Sequence, residues 1–377
     1  MFENHRCIAI IPARGKSEGI PRKNVCLMAG KPLICLVIET ARKATCLDRI
    51  VVTTDDDEIA FLAENCGASV LRREAHLALA DVPLDPVVHD AVTRAEHDFC
   101  ESYDLVFTIQ PTSPLLKPLT IDVMARRMVD GGHDTLIAVV EDSHLRWGRD
   151  ERTGGFRPLY PDRVNRQYLP PQFRETGAVL ITRREFVTPE SRLGPKLSLF
   201  PMDAQEAVDI DHPMDWMLAE RMLQRLRIAF VVAGSRETGT GHAYRVMSLA
   251  QGLVGHDLRF LCMPGSELAA DLLRASRYRP VQLAASNVPG QVLSCQPDII
   301  VNDILDTEEE FVGALQETGA FVCNLEDEGP GADVADLVIN ALYRSRLAAP
   351  HVHSGEPYFC LRNEFRASRP HEIRDEV

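Results

Sequence analysis

Short runs of β-branched and other apolar residues alternate with longer, mixed-polarity stretches from the N-terminus onward. Residues 8–12, 49–54, 105–109, 135–140 and 177–182 have the length and composition of strands. Between them, residues 32–44, 57–65, 86–99 and 119–129 read as surface helices. Strands separated by crossover-length helices predict βαβ units, hence an α/β fold with a Rossmann-like, mostly parallel sheet covered by helices on both faces. Ligands of such sheets lie beyond the carboxyl ends of the strands, so the loops there should hold the chemistry.

Residues 141–174 break this rhythm. Charged groups, Gly154-Gly155, Pro158, Pro161 and Pro170-Pro171 replace any periodicity, which predicts an irregular insertion at about 141–175 that covers substrate or forms a dimerisation arm. A closing helix is expected at 213–227, after which strand-like runs resume at 228–232, 258–262, 298–302, 320–325 and 336–339, with a helix at 243–253. Two domains follow, 1–227 and 228–377, the second a smaller Rossmann-like α/β unit.

The chain of 377 residues carries 41 basic and 55 acidic side chains, a net charge of -14. That balance argues against a nucleic-acid partner, which wants a basic face. Charge also marks the proposed boundary: 29 basic against 34 acidic residues before it, 12 against 21 after it, with every lysine at or before Lys196. The ten cysteines are scattered, with no CxxC pair and no spacing that suggests a disulfide framework or zinc site. The apolar run at the N-terminus is too short for a secretory signal or a membrane span. These features predict a soluble protein of the reducing cytoplasm, without a membrane partner.

The first strand leads into Ala13-Arg14-Gly15-Lys16-Ser17-Glu18-Gly19-Ile20-Pro21-Arg22-Lys23-Asn24. Glycines let backbone amides approach an anion, and four basic side chains surround them. Its glycines do not stand at the offsets of a Walker A loop. A solvated basic turn is the plain alternative. Further along come Arg73 with Leu77-Ala78 and Asp81, then Gln110-Pro111-Thr112-Ser113-Pro114 directly after a strand. Arg166-Gln167 and Phe173-Arg174-Glu175-Thr176-Gly177 follow, then Val208-Asp209-Ile210-Asp211. Asp209 and Asp211 are one residue apart, so on extended backbone both carboxylates face one side, a seat for Mg²⁺, which prefers oxygen ligands. By itself an Asp-x-Asp pair is more often a cap or a solvated turn.

These segments, in this order, resemble the cytidylyltransferases that activate sialic acid and related nonulosonic acids, over about residues 6–225. The resemblance implies a nucleotidyltransferase-type fold, CTP and a nonulosonic acid as partners, Mg²⁺ as cofactor, and a homodimer. The reaction it implies is attack of the anomeric hydroxyl on the α-phosphorus of CTP with release of pyrophosphate. Residue by residue, it places Ala13, Arg14, Gly15, Lys16, Ser17, Lys23, Asn24, Arg73, Thr112 and Ser113 on the nucleotide. Gln110, Arg166, Gln167 and Phe173 fall on the sugar, and Asp209 and Asp211 on the metal, with Arg14, Lys23, Asp209 and Asp211 catalytic. An arginine fork suits a carboxylate, though Arg166 is equally readable as an exposed loop arginine. Lys16 and Glu18 stand where the family usually has glycine and lysine, Phe173 where it has tyrosine, and Thr176 where it has asparagine. A cytidylyltransferase for the eight-carbon acid KDO is a rival, but its motifs differ from the 110–114 and 166–167 segments. A non-catalytic sugar-nucleotide sensor is the other.

The second constellation is Gly234-Ser235-Arg236-Glu237-Thr238-Gly239-Thr240-Gly241-His242, again between a strand and a helix. Thr240 occupies the lysine position of a Walker A loop, which rules that motif out. With Arg245, Asn324-Leu325-Glu326-Asp327, 336–340 and Tyr358-Phe359-Cys360-Leu361-Arg362, it resembles the N-terminal half of nucleotide-sugar hydrolases of pseudaminic acid synthesis, which have a glycosyltransferase-B-like fold. That resemblance makes His242 the catalytic candidate, the plain alternative being a histidine capping a helix. The helix N-terminus is expected to disfavour the imidazolium. Such a fold needs a second α/β half, and the sequence stops at Val377, so hydrolysis by this chain is not expected.

Overall fold

A computed structural model describes residues 1–17, 19–342, 345 and 348–360. Glu18, Leu361 and Arg362, quoted above, lie outside the described residues. The chain divides into two compact units, Met1–Leu223 and Gln224–Val377.

The first unit is built on a seven-stranded sheet. Its strands are β1 (Cys7–Pro12), β2 (Arg49–Thr54), β3 (Ser69–Arg72), β4 (Leu105–Thr108), β5 (Thr135–Glu141), β6 (Phe173–Arg183) and β7 (Leu197–Pro201). They lie in the order β7-β5-β6-β4-β1-β2-β3. β6 runs antiparallel to both its neighbours and every other pairing is parallel. The central strand β1 is buried along its whole length, as expected for a parallel strand covered on both faces. Alternation sends Ala9 and Ile11 to one face, with α1 (Leu33–Lys43) and α4 (Pro118–Asp130), and Ile8 and Ile10 to the other, with α3 (Leu84–Phe99). α2 (Asp57–Asn65) is capped by Asp56, which accepts from the Glu58 and Ile59 amides. α5 (Pro213–Leu223) buries Ala219 in a satellite core with Met28, Leu33 and Ile210.

The structure adds what the apolar pattern missed. β3 and β7 are edge strands, and β7 alternates exposed Leu197 and Leu199 with half-buried residues, so neither presents a continuous apolar run. Cys35 on α1 is joined to Cys66 at the end of α2, with 5.9 Å between their Cα atoms. The expectation of isolated cysteines missed this pair, because the fold brings together two helices whose cysteines are 31 residues apart. The stretch 141–174 is irregular and mostly exposed, holding a small ribbon of Trp147–Arg149 against Phe156–Pro158.

α5 stops at Leu223, and Arg227, expected to end that helix, instead opens the second unit by pairing with Asp257. The second sheet is entirely parallel. It comprises β8 (Arg227–Val232), β9 (Asp257–Cys262), β10 (Pro280–Gln282), β11 (Ile299–Asp303), β12 (Phe321–Leu325), β13 (Leu337–Asn340) and β14 (Val352–Ser354), in the order β10-β9-β8-β11-β12-β13-β14. α6 (Gly241–Gly252) follows β8. No helix among the described residues is long and apolar enough to cross a membrane.

Candidate active site

In the first sheet the chain winds outward from β1 through β2 to β3, then returns to the other side of β1 as β4. The crevice between the carboxyl ends of β1 and β4 is the point where winding reverses, the place such sheets bind ligands. A cleft of about 710 Å³ opens there. The loop after β1 supplies Arg14, Ser17, Lys23 and Asn24, and the loop after β4 supplies Gln110 and Thr112; Arg73, Asp211 and His212 complete the polar lining. Leu77, from the segment quoted with Arg73, and Leu79, Val82, Leu84 and Val87 form the apolar wall; the last four have no motif of their own and were missed from sequence.

The basic loop is fixed by its own polar groups. Asn24 donates through Nδ2 to the Arg14 carbonyl at 3.0 Å, and the Gly15 amide donates to Asp55 at 2.9 Å. Buried Ala13 joins the loop to β2 through the Thr53 carbonyl. Arg22 turns away from the cleft to Asp56 at 3.1 Å and Glu58 at 2.6 Å, while Lys16 is exposed and does not line the cleft. Of the four cations on the loop, Arg14 and Lys23 are therefore the ones that face the ligand space. Arg73, also buried, donates to the Thr53 carbonyl at 2.8 Å. Burial lowers its pKa, reinforced by Arg14 and opposed by the Asp55 carboxylate.

Three distant segments meet at Ile210, which is fully buried. Its amide donates to the Thr112 carbonyl at 2.9 Å. Its carbonyl accepts from Lys23 Nζ, which also stands 3.8 Å from Asp211. The residue between the two acids thus locks them to the basic loop and to the loop after β4. Gly19 fits because it has no side chain: a Cβ there would collide with the Asp211 carbonyl.

Asp209 has a buried Oδ1 without a hydrogen-bond partner, and the Thr112 and Ser113 hydroxyls are in the same condition. Burial pushes the Asp209 carboxyl up from its ordinary range, as does the Asp211 carboxylate, against the pull of the Thr112 hydroxyl, Lys23 and Arg174. Asp211 is largely exposed. Among the described residues no group of three His, Cys, Asp or Glu could hold a metal. An unpaired buried carboxylate oxygen beside a second carboxylate nevertheless fits Mg²⁺, which takes one or two protein carboxylates and fills its octahedron with phosphate oxygens and water.

The sugar-side residues divide. Gln110 lines the cleft, but Arg166, Gln167 and Phe173 are exposed and do not. Arg166 and Gln167 lie on a short turn of the irregular arm, and Phe173 begins β6 at its outer end. Thr176, by contrast, is buried and bonded to the Ala138 carbonyl.

In the second unit the winding reverses between β8 and β11. His242 sits at that crevice and is not a cap; its Nδ1 lies 2.6 Å from Asp303 Oδ1. Asp303 is fully buried and also takes both Nε and Nη2 of Arg245, which reaches Glu326 through Nη1 at 3.0 Å. An ionised Asp303 makes Nδ1 the donor and leaves Nε2 for a ligand. The sequence points only to the helix terminus beside His242. Asp303, at the end of an ordinary apolar strand, carried no motif.

The pattern of a family described as cytidylyltransferase matches residues 8–146. The chain is 34% identical over 237 residues to a CMP-N,N'-diacetyllegionaminic acid synthase of Legionella pneumophila, an alignment covering 60% of this chain and all of that protein. It is 33% identical over 229 residues to an N-acylneuraminate cytidylyltransferase of Oncorhynchus mykiss, and 31% over 224 residues to N-acylneuraminate cytidylyltransferase A of Danio rerio. Those two alignments take in 59% and 58% of this chain, which spans about half the length of the fish proteins. A cleft at the β1/β4 crossover, with the motifs locked together at Ile210, accompanies this likeness: the chain belongs to the cytidylyltransferase family.

Proposed function

We propose that the first unit transfers CMP from CTP to the anomeric hydroxyl of a nonulosonic acid, releasing pyrophosphate. The observation that carries this is the locking of Lys23, Thr112 and the Asp209–Asp211 segment around Ile210. It sets Lys23 and Asp211 on the wall of the cleft, with Asp209 and its buried Oδ1 two residues away, where a triphosphate would need both a positive partner and a metal seat. Arg14 and Lys23 neutralise phosphate charge, Arg73 and the apolar wall hold the nucleoside, and Gln110 meets the sugar acid. Asp209 and Asp211 would hold Mg²⁺, which when bound neutralises charge developing on the phosphates. Much of the remaining rate comes from alignment of the hydroxyl with the α-phosphorus.

The enzyme acts, in this reading, as a cytoplasmic homodimer. Trp147, Phe156 and Tyr168 expose more than half of their surface on the arm, which suits burial against a second copy. That arrangement would also carry Arg166, Gln167 and Phe173 toward a partner's pocket. For the second unit, the His242–Asp303 pair supports a nucleotide-sugar site with His242 as its acid–base residue.

Pyrophosphate release from CTP and Mg²⁺ tests the main reading, with sialic, deaminated sialic, legionaminic and pseudaminic acids in parallel. Turnover with at least one acid, abolished by chelation, is expected. Binding of CTP without release from any acid would replace the transferase by a sensor.

Gly177 offers a narrower check. It has φ +70°, and a Cβ there would stand 3.0 Å from Gln110 Nε2. Gly177→Ala should cost about 1–2 kcal/mol from the left-handed backbone and displace Gln110. Chemical denaturation should show the lost stability, and steady-state kinetics a raised KM for the acid with KM for CTP unchanged.

A further inference from the structure

Beside the main cleft, on the sheet face that carries α3, lies a smaller cavity of about 40 Å³ among β4, β5 and β6. Gln110 lines both spaces. The others that matter here are Thr108, Ile137, Glu175, Gly177 and Arg192. That volume takes two or three waters or a substituent of similar size.

The lining is polar and partly unsatisfied. Thr108 is 2% exposed, and its Oγ1 has no hydrogen-bond partner. Buried hydroxyls are normally paired, so one left open on a cavity wall marks a place for a ligand atom. Arg192 is a built-in element, not a loose surface arginine. Its side chain is 13% exposed, and Nε donates to Asp85 in the first turn of α3 at 2.8 Å. Its carbonyl accepts from the hydroxyls of Thr135 and Thr182, pinning the segment to β5 and β6. The rest of the guanidinium fork makes no hydrogen bond to the described residues. Asp85 and Glu175 more than balance the arginine charge, which disfavours a carboxylate in this space. A neutral oxygen is what an open hydroxyl and spare N–H donors would take.

Resting on the transferase reading above, we propose that this cavity is a specificity subsite. It receives a neutral, oxygen-bearing substituent of the sugar acid, a hydroxyl or the carbonyl of a short acyl amide, while Gln110 holds the acid at the boundary with the main cleft. Thr108 and Arg192 are its specificity-determining residues.

The test compares kcat/KM of the full chain for acids that differ in one neutral substituent, sialic acid and its deaminated analogue, with legionaminic acid as a third. The wild-type chain should discriminate among them. Thr108→Val keeps the side-chain shape and Arg192→Lys keeps the charge opposite Asp85; each should compress the discrimination about tenfold, the worth of one lost hydrogen bond. The change should fall on KM for the acid, with KM for CTP unchanged. Thermal stability of Thr108→Val should be unchanged or higher, since an unpaired buried hydroxyl is removed, and a lower melting temperature with unaltered discrimination would assign Thr108 a packing role instead. Wild-type ratios near one, or ratios equal in wild type and both variants, overturn the subsite while turnover leaves the transferase standing. No pyrophosphate from any acid overturns both.

Discussion

The Asp209→Asn variant is expected to release pyrophosphate roughly 10²–10³-fold more slowly than the wild-type chain, the usual scale for removing one preorganised electrostatic group. The substitution keeps the shape and removes the charge of the buried, unpartnered Oδ1. The Mg²⁺ concentration needed for half-maximal rate should rise with it. Asp211→Asn should show the same direction with a smaller effect, because that carboxylate is largely exposed and solvent shares its work. Stability should move the other way. Asp209 is held above the ordinary carboxylate range, chiefly by burial, so the metal-free folded chain binds a proton more readily than the unfolded one. Its folding free energy therefore weakens as pH rises from the unfolded value through the raised folded value. Metal seating needs the deprotonated form, so the rate should climb across that same window. Urea midpoints and rates measured against pH will show both slopes in the wild type; a stability slope persisting in Asp209→Asn would mean another group carries it.

In the second unit, Asp303→Ala should cost about 3–5 kcal/mol, the penalty for removing one partner of a buried charge cluster. Asp303 is fully buried between His242 and Arg245, and without it the guanidinium keeps only Glu326. Spectroscopy can localise the damage. The chain has two tryptophans, Trp147 and Trp216, both in the first unit. Far-UV circular dichroism should lose helix at lower urea, while tryptophan fluorescence keeps the wild-type midpoint. Adding Arg245→Met to the same chain should not recover the loss, because the Glu326 carboxylate, its side chain 4% exposed, would then lose its own partner. Unchanged dichroism in Asp303→Ala would show the cluster to be energetically neutral.

What could be read from the sequence depended on whether a residue's role was local. β1 was legible because six consecutive buried positions leave a continuous apolar run, and the basic loop because its glycines and cations are neighbours. Edge strands β3 and β7 were missed, as their half-exposed faces resemble loops. Gln110, Arg73, Lys23 and Asp211, singled out by their motifs, line the cleft, whereas Arg166, Gln167 and Phe173 are exposed and do not, two of them on the irregular arm and the third at the start of β6. The role of Ile210 was not legible: it works through its backbone, and an isoleucine between two acids says nothing of what its amide and carbonyl meet. Asp303 and Thr108 were equally silent, each ending a strand whose partner residues come from elsewhere in the chain.

The join between Lys23 and Ile210 spans 187 residues. A ribosome must therefore release nearly all of the first unit before the cleft can close, and α5, whose Ala219 packs with Ile210, is the last element of that unit to emerge. Through most of that unit's synthesis Lys23 lacks the Ile210 carbonyl and Asp211. Nucleotide affinity is then a late-acquired property, a reporter of completed folding: a chain halted before α5 would show native secondary structure and no competent triphosphate pocket.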